Sequence, residues 1–158
     1  MTWVQDGLFA GGGEALPEDW AAFAGQTGVT AILHLRPGSP AVFRGPVPVS
    51  FLWMDLSSEV EAGLPERLAA GAFIEACLDR GERVLLHASH GRHRTRWAFV
   101  AYRIWSGAEP RAVLKQAARP PWLAPYRTNE ASWERMAEAL RELRLTGSTS
   151  PSIESSRP

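Results

Sequence analysis

The sequence predicts an α/β fold: a single domain whose mainly parallel central sheet, of about four to five strands, is flanked by helices on both faces. Three observations predict it. Short apolar runs of strand length alternate with longer stretches of helical periodicity. The 158 residues suffice for one core and not for two. Apolar residues make up 45% and charged residues 22%, the balance of an ordinary globular domain.

The elements follow in order. Leu8 to Gly13 reads as a short strand ending in a glycine turn. Gly11-Gly-Gly13 is a flexible turn rather than a phosphate loop, because no Lys-Ser/Thr follows it. Asp19 to Gly25 has the pattern of a short amphipathic helix. Ala31 to Leu35 is a buried strand that stops at Arg36-Pro-Gly, and Val49 to Leu56 is another strand. Pro65 to Arg80 is a helix closed by Gly81. Arg83 to His87 is a buried strand, and Thr95 to Trp105 is an apolar helix. Glu109 to Ala118 is a helix with proline in its first turn. Glu130 to Leu145 is amphipathic, with Trp133, Met136, Ala137, Leu140 and Leu143 on one stripe. From Thr146 the composition turns to Gly, Ser, Thr and Pro, so the expected division is a domain at 1–145 and a disordered tail at 146–158.

Composition narrows the function classes. The net charge is zero, so the overall field draws in neither nucleic acid nor membrane. No apolar run approaches the roughly 20 residues a membrane helix needs, and the N-terminus has no signal-peptide pattern. A cytoplasmic protein is expected. Of the 17 basic residues only Lys115 is lysine, which suggests a GC-rich, bacterial genome. The single cysteine, Cys77, lies within a helical pattern, where a buried structural thiol is expected.

The chemistry concentrates in Val84-Leu-Leu-His-Ala-Ser-His-Gly-Arg-His-Arg-Thr95. A buried strand enters a short loop that leads into a helix. Such a turn aims several backbone N–H groups at one point, and the helix N-terminus adds partial positive charge. Gly91 lets the backbone bend, and Arg94 offers a planar fork to two phosphate oxygens. The Thr95 hydroxyl is placed to bond whatever occupies position 88. In parallel sheets, ligands bind beyond the carboxyl ends of the strands, where this loop lies. The expected phosphate-binding set is Ser89, His90, Gly91, Arg92, His93 and Arg94. His87, His90 and His93 recur at a spacing of three, but side chains splayed around an anion do not converge on one ion. No metal and no cofactor is therefore expected.

His87-Ala-Ser-His-Gly-Arg-His-Arg-Thr95 resembles the signature loop of the cysteine-dependent protein phosphatases: His-Cys, five residues, Arg, then Ser or Thr. The similarity is to the small dual-specificity and protein-tyrosine phosphatase type. Asp6-Gly-Leu-Phe-Ala-Gly-Gly12 and Gly28-Val-Thr-Ala-Ile-Leu-His-Leu35 resemble that branch's first strands, and the likeness extends over about residues 3 to 145. It implies hydrolysis of phosphotyrosine, with phosphoserine and phosphothreonine as further candidates, through a phosphocysteine intermediate. It also implies Arg94 on the phosphoryl oxygens, and an aspartate on an upstream loop as general acid and then base. Asp55, 33 residues before position 88, is the candidate for that acid. Glu59 and Glu61 are alternates, and a turn-capping Asp55 is the rival reading. The catalytic set the resemblance implies is the nucleophile position Ala88 with Arg94, Asp55, Thr95 and His87.

The sequence departs from the family twice. Arg96 stands where the family carries glycine, either altering substrate approach or facing solvent. Ala88 stands at the nucleophile, so the covalent step is missing while anion binding should survive. Cys to Ala takes two nucleotide changes and the rest of the apparatus is retained. An engineered inactive phosphatase is therefore favoured over a natural pseudophosphatase that binds phosphorylated ligands. His87 is expected behind the loop, with His90, Arg92 and His93 at its mouth. That cationic ring suits a phosphorylated protein or small phosphomonoester, and raises an inositol phosphate or phosphoinositide as an alternative. Trp20, Trp97, Trp105 and Trp133 are expected in the core. Trp53 and Trp122 are either core or pocket wall, and Arg127 and Asn129 fall in a region that often borders the site in this family.

Overall fold

The computed structural model describes residues 1–147. Its strands are β1 (Thr2–Gln5), β2 (Leu8–Gly12), β3 (Ala31–His34), β4 (Ser50–Trp53) and β5 (Val84–Ala88). They form one sheet in the order β1-β2-β5-β3-β4, parallel except for the β1–β2 hairpin. β5 is the centre of the sheet, flanked by β2 and β3. Every one of its residues is buried, as a strand covered on both faces requires. Its carboxyl end therefore delivers the following loop to the middle of the sheet.

The helices are α1 (Trp20–Thr27), α2 (Leu64–Asp79), α3 (His93–Trp105), α4 (Pro110–Gln116) and α5 (Glu130–Gly147). Side-chain alternation along the strands divides the core in two. Ile32 and Leu85 point to the α1 side and pack with Leu16, Trp20 and Val29. Ala31, Leu33, Val84 and Leu86 point to the other side, where α2, α3 and α5 supply Ile74, Trp97, Phe99, Trp133 and Met136. α3 is buried through Thr95–Ala101 and at Ile104, so it forms the middle of the helical layer. It meets α2 at Gly71, where an added Cβ would lie 2.5 Å from the Trp105 Cβ.

Several local outcomes differ from the sequence expectation. β1 was not expected, although Asp6-Gly7 between β-branched and aromatic residues is a hairpin signal. Gly7 takes φ +75° there, and the strand forms the edge of the sheet. β4 is four residues long rather than eight, because beyond Trp53 the chain leaves β3. α3 begins at His93, which places Arg94 in its first turn. Leu143 is 55% exposed and leaves the α5 stripe, which the core uses only as far as Leu140. Thr146 and Gly147 continue α5. The rest of the expected tail, 148–158, lies outside the described residues. Among the described residues, no helix is long and apolar enough to cross a membrane.

Candidate functional site

The loop after β5 and the first turn of α3 form the floor and one wall of a cleft of about 410 Å³. Ala88, His90, Gly91, Arg92, His93 and Arg94 line this side, and Ser57, Ser58, Glu59 and Val60 line the other. The first amides of a helix have no intrahelical acceptor, and α3 points its N-terminus at this space. Gly91 turns the loop with φ +63°, a conformation that costs glycine nothing.

The glycine run of β2 has a role that neither sequence reading gave it. A Cβ on Gly12 would lie 2.6 Å from the Gly91 nitrogen, and one on Gly91 would lie 2.8 Å from the Gly12 nitrogen. Gly13 N–H donates to the Ser89 carbonyl at 3.0 Å. The glycines are neither a free turn nor a cradle of their own. They are the flat surface on which the β5–α3 loop rests.

Arg94 ties the cleft together. Its Nη1 donates to the carbonyls of Leu35 (2.8 Å) and Leu56 (2.6 Å), and its Nη2 donates to Ser89 Oγ at 3.1 Å. The guanidinium thus links the ends of three segments while still lining the cleft. Burial is the main cause that lowers its pKa, followed by Arg36, and a guanidinium remains charged at neutral pH. Ser89 is turned to Arg94 and is absent from the cleft lining.

His87 lies behind the loop, as its burial requires. Its ring stacks on His34 at 5.1 Å, and the two Nδ1 atoms are 3.1 Å apart. Burial, then the charges of His34, Arg36 and Arg94, lower the His87 pKa to about 4. Burial is likewise the main cause that lowers the His34 pKa, and between two neutral rings one Nδ1 donates and the other accepts. Thr95 is fully buried and spends its hydroxyl on the carbonyls of Gly91 (2.9 Å) and Arg92 (3.1 Å). It holds the helix start and does not reach for position 88 with that hydrogen.

Arg96 corrects the solvent-facing reading. It is 4% exposed, its Nη1 donates to the Ala124 carbonyl at 2.8 Å, and its guanidinium lies 4.9 Å from the Tyr126 ring centroid. It fastens the 119–127 segment to the first turns of α3. Trp122 packs on Phe99 at 5.2 Å and borders a second, smaller hollow on the far side of His90-Gly91-Arg92. Trp53 is half-buried and donates through Nε1 to the Arg36 carbonyl at 2.8 Å. Neither tryptophan lines the main cleft, and neither do Arg127 and Asn129.

The three candidate acids differ sharply. Asp55 is exposed and its Oδ1 accepts from the Gly38 amide at 3.0 Å, outside the cleft lining. Glu61 accepts from the Ser57 amide at 3.0 Å. Glu59 alone lines the cleft, and its Oε2 is buried without a hydrogen-bond partner. Burial raises its pKa, against the lowering effects of His93, Arg96, Tyr126 and Arg94. The resemblance implies Asp55 first, with Glu59 as an alternate; the path of the chain after β4 brings Glu59 to the cleft and leaves Asp55 outside its lining. Among the described residues no group of three or more His, Cys, Asp or Glu converges as metal ligands would. Cys77 is buried, and burial raises its pKa.

No protein-family model matches the chain, and a search of curated protein sequences finds no match. Solved structures do match. Human DUSP28 aligns with a TM-score of 0.70 at 19% identity, over 90% of this chain and 99% of that one. The human tyrosine phosphatase-like serine/threonine/tyrosine-interacting protein aligns with a TM-score of 0.62 at 20% identity, covering 92% and 97%. PTPMT1, solved in complex with PI(5)P, aligns with a TM-score of 0.64 at 15% identity, covering 91% and 96%. The chain therefore has the fold of the dual-specificity and protein-tyrosine phosphatases.

Proposed function

We propose that the cleft binds phosphomonoesters, phosphotyrosine in a protein foremost, and that the chain as it stands captures such ligands without hydrolysing them. The observation that carries this reading is the β5–α3 loop. It sets a helix N-terminus, the Arg94 guanidinium and the cationic Arg92 around a floor made by Ala88. The Ala88 methyl cannot attack phosphorus, so the covalent step has no nucleophile. A thiol at that position would lie at the end of a buried strand and at the mouth of a helix dipole, where a thiolate is favoured. The reading therefore extends to hydrolysis of the same esters once the thiol is supplied, with phosphoserine and phosphothreonine as further substrates. His90, Arg92 and His93 at the cleft favour one second reading, a ligand with additional phosphates such as an inositol phosphate or phosphoinositide.

Two measurements test it. Ala88→Cys should confer vanadate-sensitive hydrolysis of an aryl phosphate, well above the unaltered chain; no gain in hydrolysis sinks the enzymatic half. The unaltered chain should bind phosphate by calorimetric titration. If it binds none, the binding half is wrong as well.

A further inference from the structure

We propose that Arg96 is a buried cation of the anion site: without touching the ligand, its charge strengthens the hold of the cleft on a dianion. This rests on reading the cleft as an anion site, and gives a role there to a residue outside its lining.

The start of α3 makes the case. A helix N-terminus disfavours cations, and acidic residues suit its first turn. α3 has no acidic residue there, and carries Arg94 and Arg96 after its N-cap Arg92. Arg92 and Arg96 are four residues apart, on one face of the helix, where like charges repel. The Arg96 backbone N–H donates to the Arg92 carbonyl at 3.1 Å, as that spacing requires. Arg92 lines the cleft, so Arg96 stands one turn behind the cleft wall.

Burial makes this charge costly. Arg96 is buried, and among the described residues the structure gives it no ion pair. Its acceptors are neutral: the Ala124 carbonyl at 2.8 Å and the Ala117 carbonyl at 3.5 Å, while Nε has none. The rings of Tyr126 and Trp122, at 4.9 and 6.0 Å, offset part of the charge. Glu59 acts on it from beyond ion-pair distance, and Arg92 acts in the opposite sense. Fastening the 119–127 segment needs a hydrogen-bond donor but no charge. A guanidinium nevertheless keeps its charge, and a desolvated charge without a partner is unfavourable. A dianion in the cleft is the countercharge this region lacks. Through protein rather than water, its attraction to Arg96 reaches beyond contact.

Sulfate and methyl sulfate are the probes. Both offer the loop three sulfonyl oxygens, they differ by one charge, and sulfate stays a dianion where phosphate itself titrates. NMR titration of the intact chain and its variants, at about pH 6 to favour a charged lysine, measures both affinities. Arg96→Gln keeps a donor for the Ala124 carbonyl and loses the charge. It should bind sulfate about tenfold more weakly but methyl sulfate only about threefold, because a Coulomb attraction scales with the charge of the ligand. Arg96→Lys keeps the charge and should hold sulfate within about threefold of the unaltered chain. Thermal melts without anion establish that the variants fold, and Arg96→Met is the charge-free variant should Arg96→Gln fold poorly. Equal losses for the two anions in Arg96→Gln, with Arg96→Lys no better, would make Arg96 a brace for the 119–127 segment and overturn the proposal. So would unchanged sulfate affinity in Arg96→Gln. Either result leaves the anion-site reading standing. No sulfate binding by the intact chain overturns that reading and this inference with it.

Discussion

The two sides of the cleft are built by opposite means. One side is a contiguous run, Ala88 to Arg94, whose shape follows from a buried strand, a glycine at positive φ and a helix start. The other, Ser57 to Val60, runs from the loop after β4 into a short 3-10 turn, Glu59–Glu61. It is held there by contacts distant in sequence, above all the Arg94 bond to the Leu56 carbonyl immediately before it. The first side presents N–H groups and cations, and the second presents a carboxyl. The contrast teaches that the loop side of the cleft takes its shape locally, whereas the opposite side depends on tertiary ties. Arg94 belongs to both sides.

Arg94→Met should therefore have the largest effect. It removes the fork and frees the Leu35 and Leu56 carbonyls together, so sulfate affinity should fall about 100-fold or more and stability by about 2–4 kcal/mol. Titration calorimetry and urea unfolding measure the two. Affinity retained in Arg94→Met would break the idea that one side chain serves both walls.

Gly12→Ala sharpens the comparison by disturbing one side only. Its methyl would crowd the Gly91 backbone, which has no flexible side chain to yield. Sulfate binding should weaken several-fold, with a stability loss of about 1–3 kcal/mol. Amide shifts by NMR should centre on 88–92 and spare 57–60. The smallest effect is expected for Asp55→Asn. An asparagine oxygen can still accept from the Gly38 amide, so sulfate affinity should not change and stability should move by less than about 0.5 kcal/mol. A marked loss of affinity would return Asp55 to the cleft and weaken the contrast with Glu59.

The parts of the site legible in the sequence are those whose geometry is local. His87 to Thr95 could be read because strand, turn and helix start are neighbours, and their spacing sets where Gly91 and Arg94 stand. The buried strands were legible for a similar reason: runs such as Ala31–His34 have few polar side chains, so covered faces are their stable environment. Arg96 shows where such reading stops. A helix-start arginine ordinarily faces water, yet here the Ala124 carbonyl and the Tyr126 ring receive it from 28 and 30 residues away. Nothing in the local pattern encodes that partner. The same limit applies to Thr95, whose hydroxyl has nearby carbonyls to satisfy within its own turn.

By itself, then, the sequence determined the α/β class, the two-faced sheet and the strand–turn–helix run that carries Gly91 and Arg94. Each is written in periodicity or in the chemistry of adjacent residues. Tertiary structure alone decided which carboxyl lines the cleft, that the Gly11-Gly-Gly13 run supports the loop, and that Arg94 ties Leu35, Leu56 and Ser89 into one site. The physical reason is shared. Burial and hydrogen-bond partnership are properties of the packed chain, and residues a few positions apart, such as Asp55 and Glu59, acquire opposite surroundings only when the segment that carries them is docked.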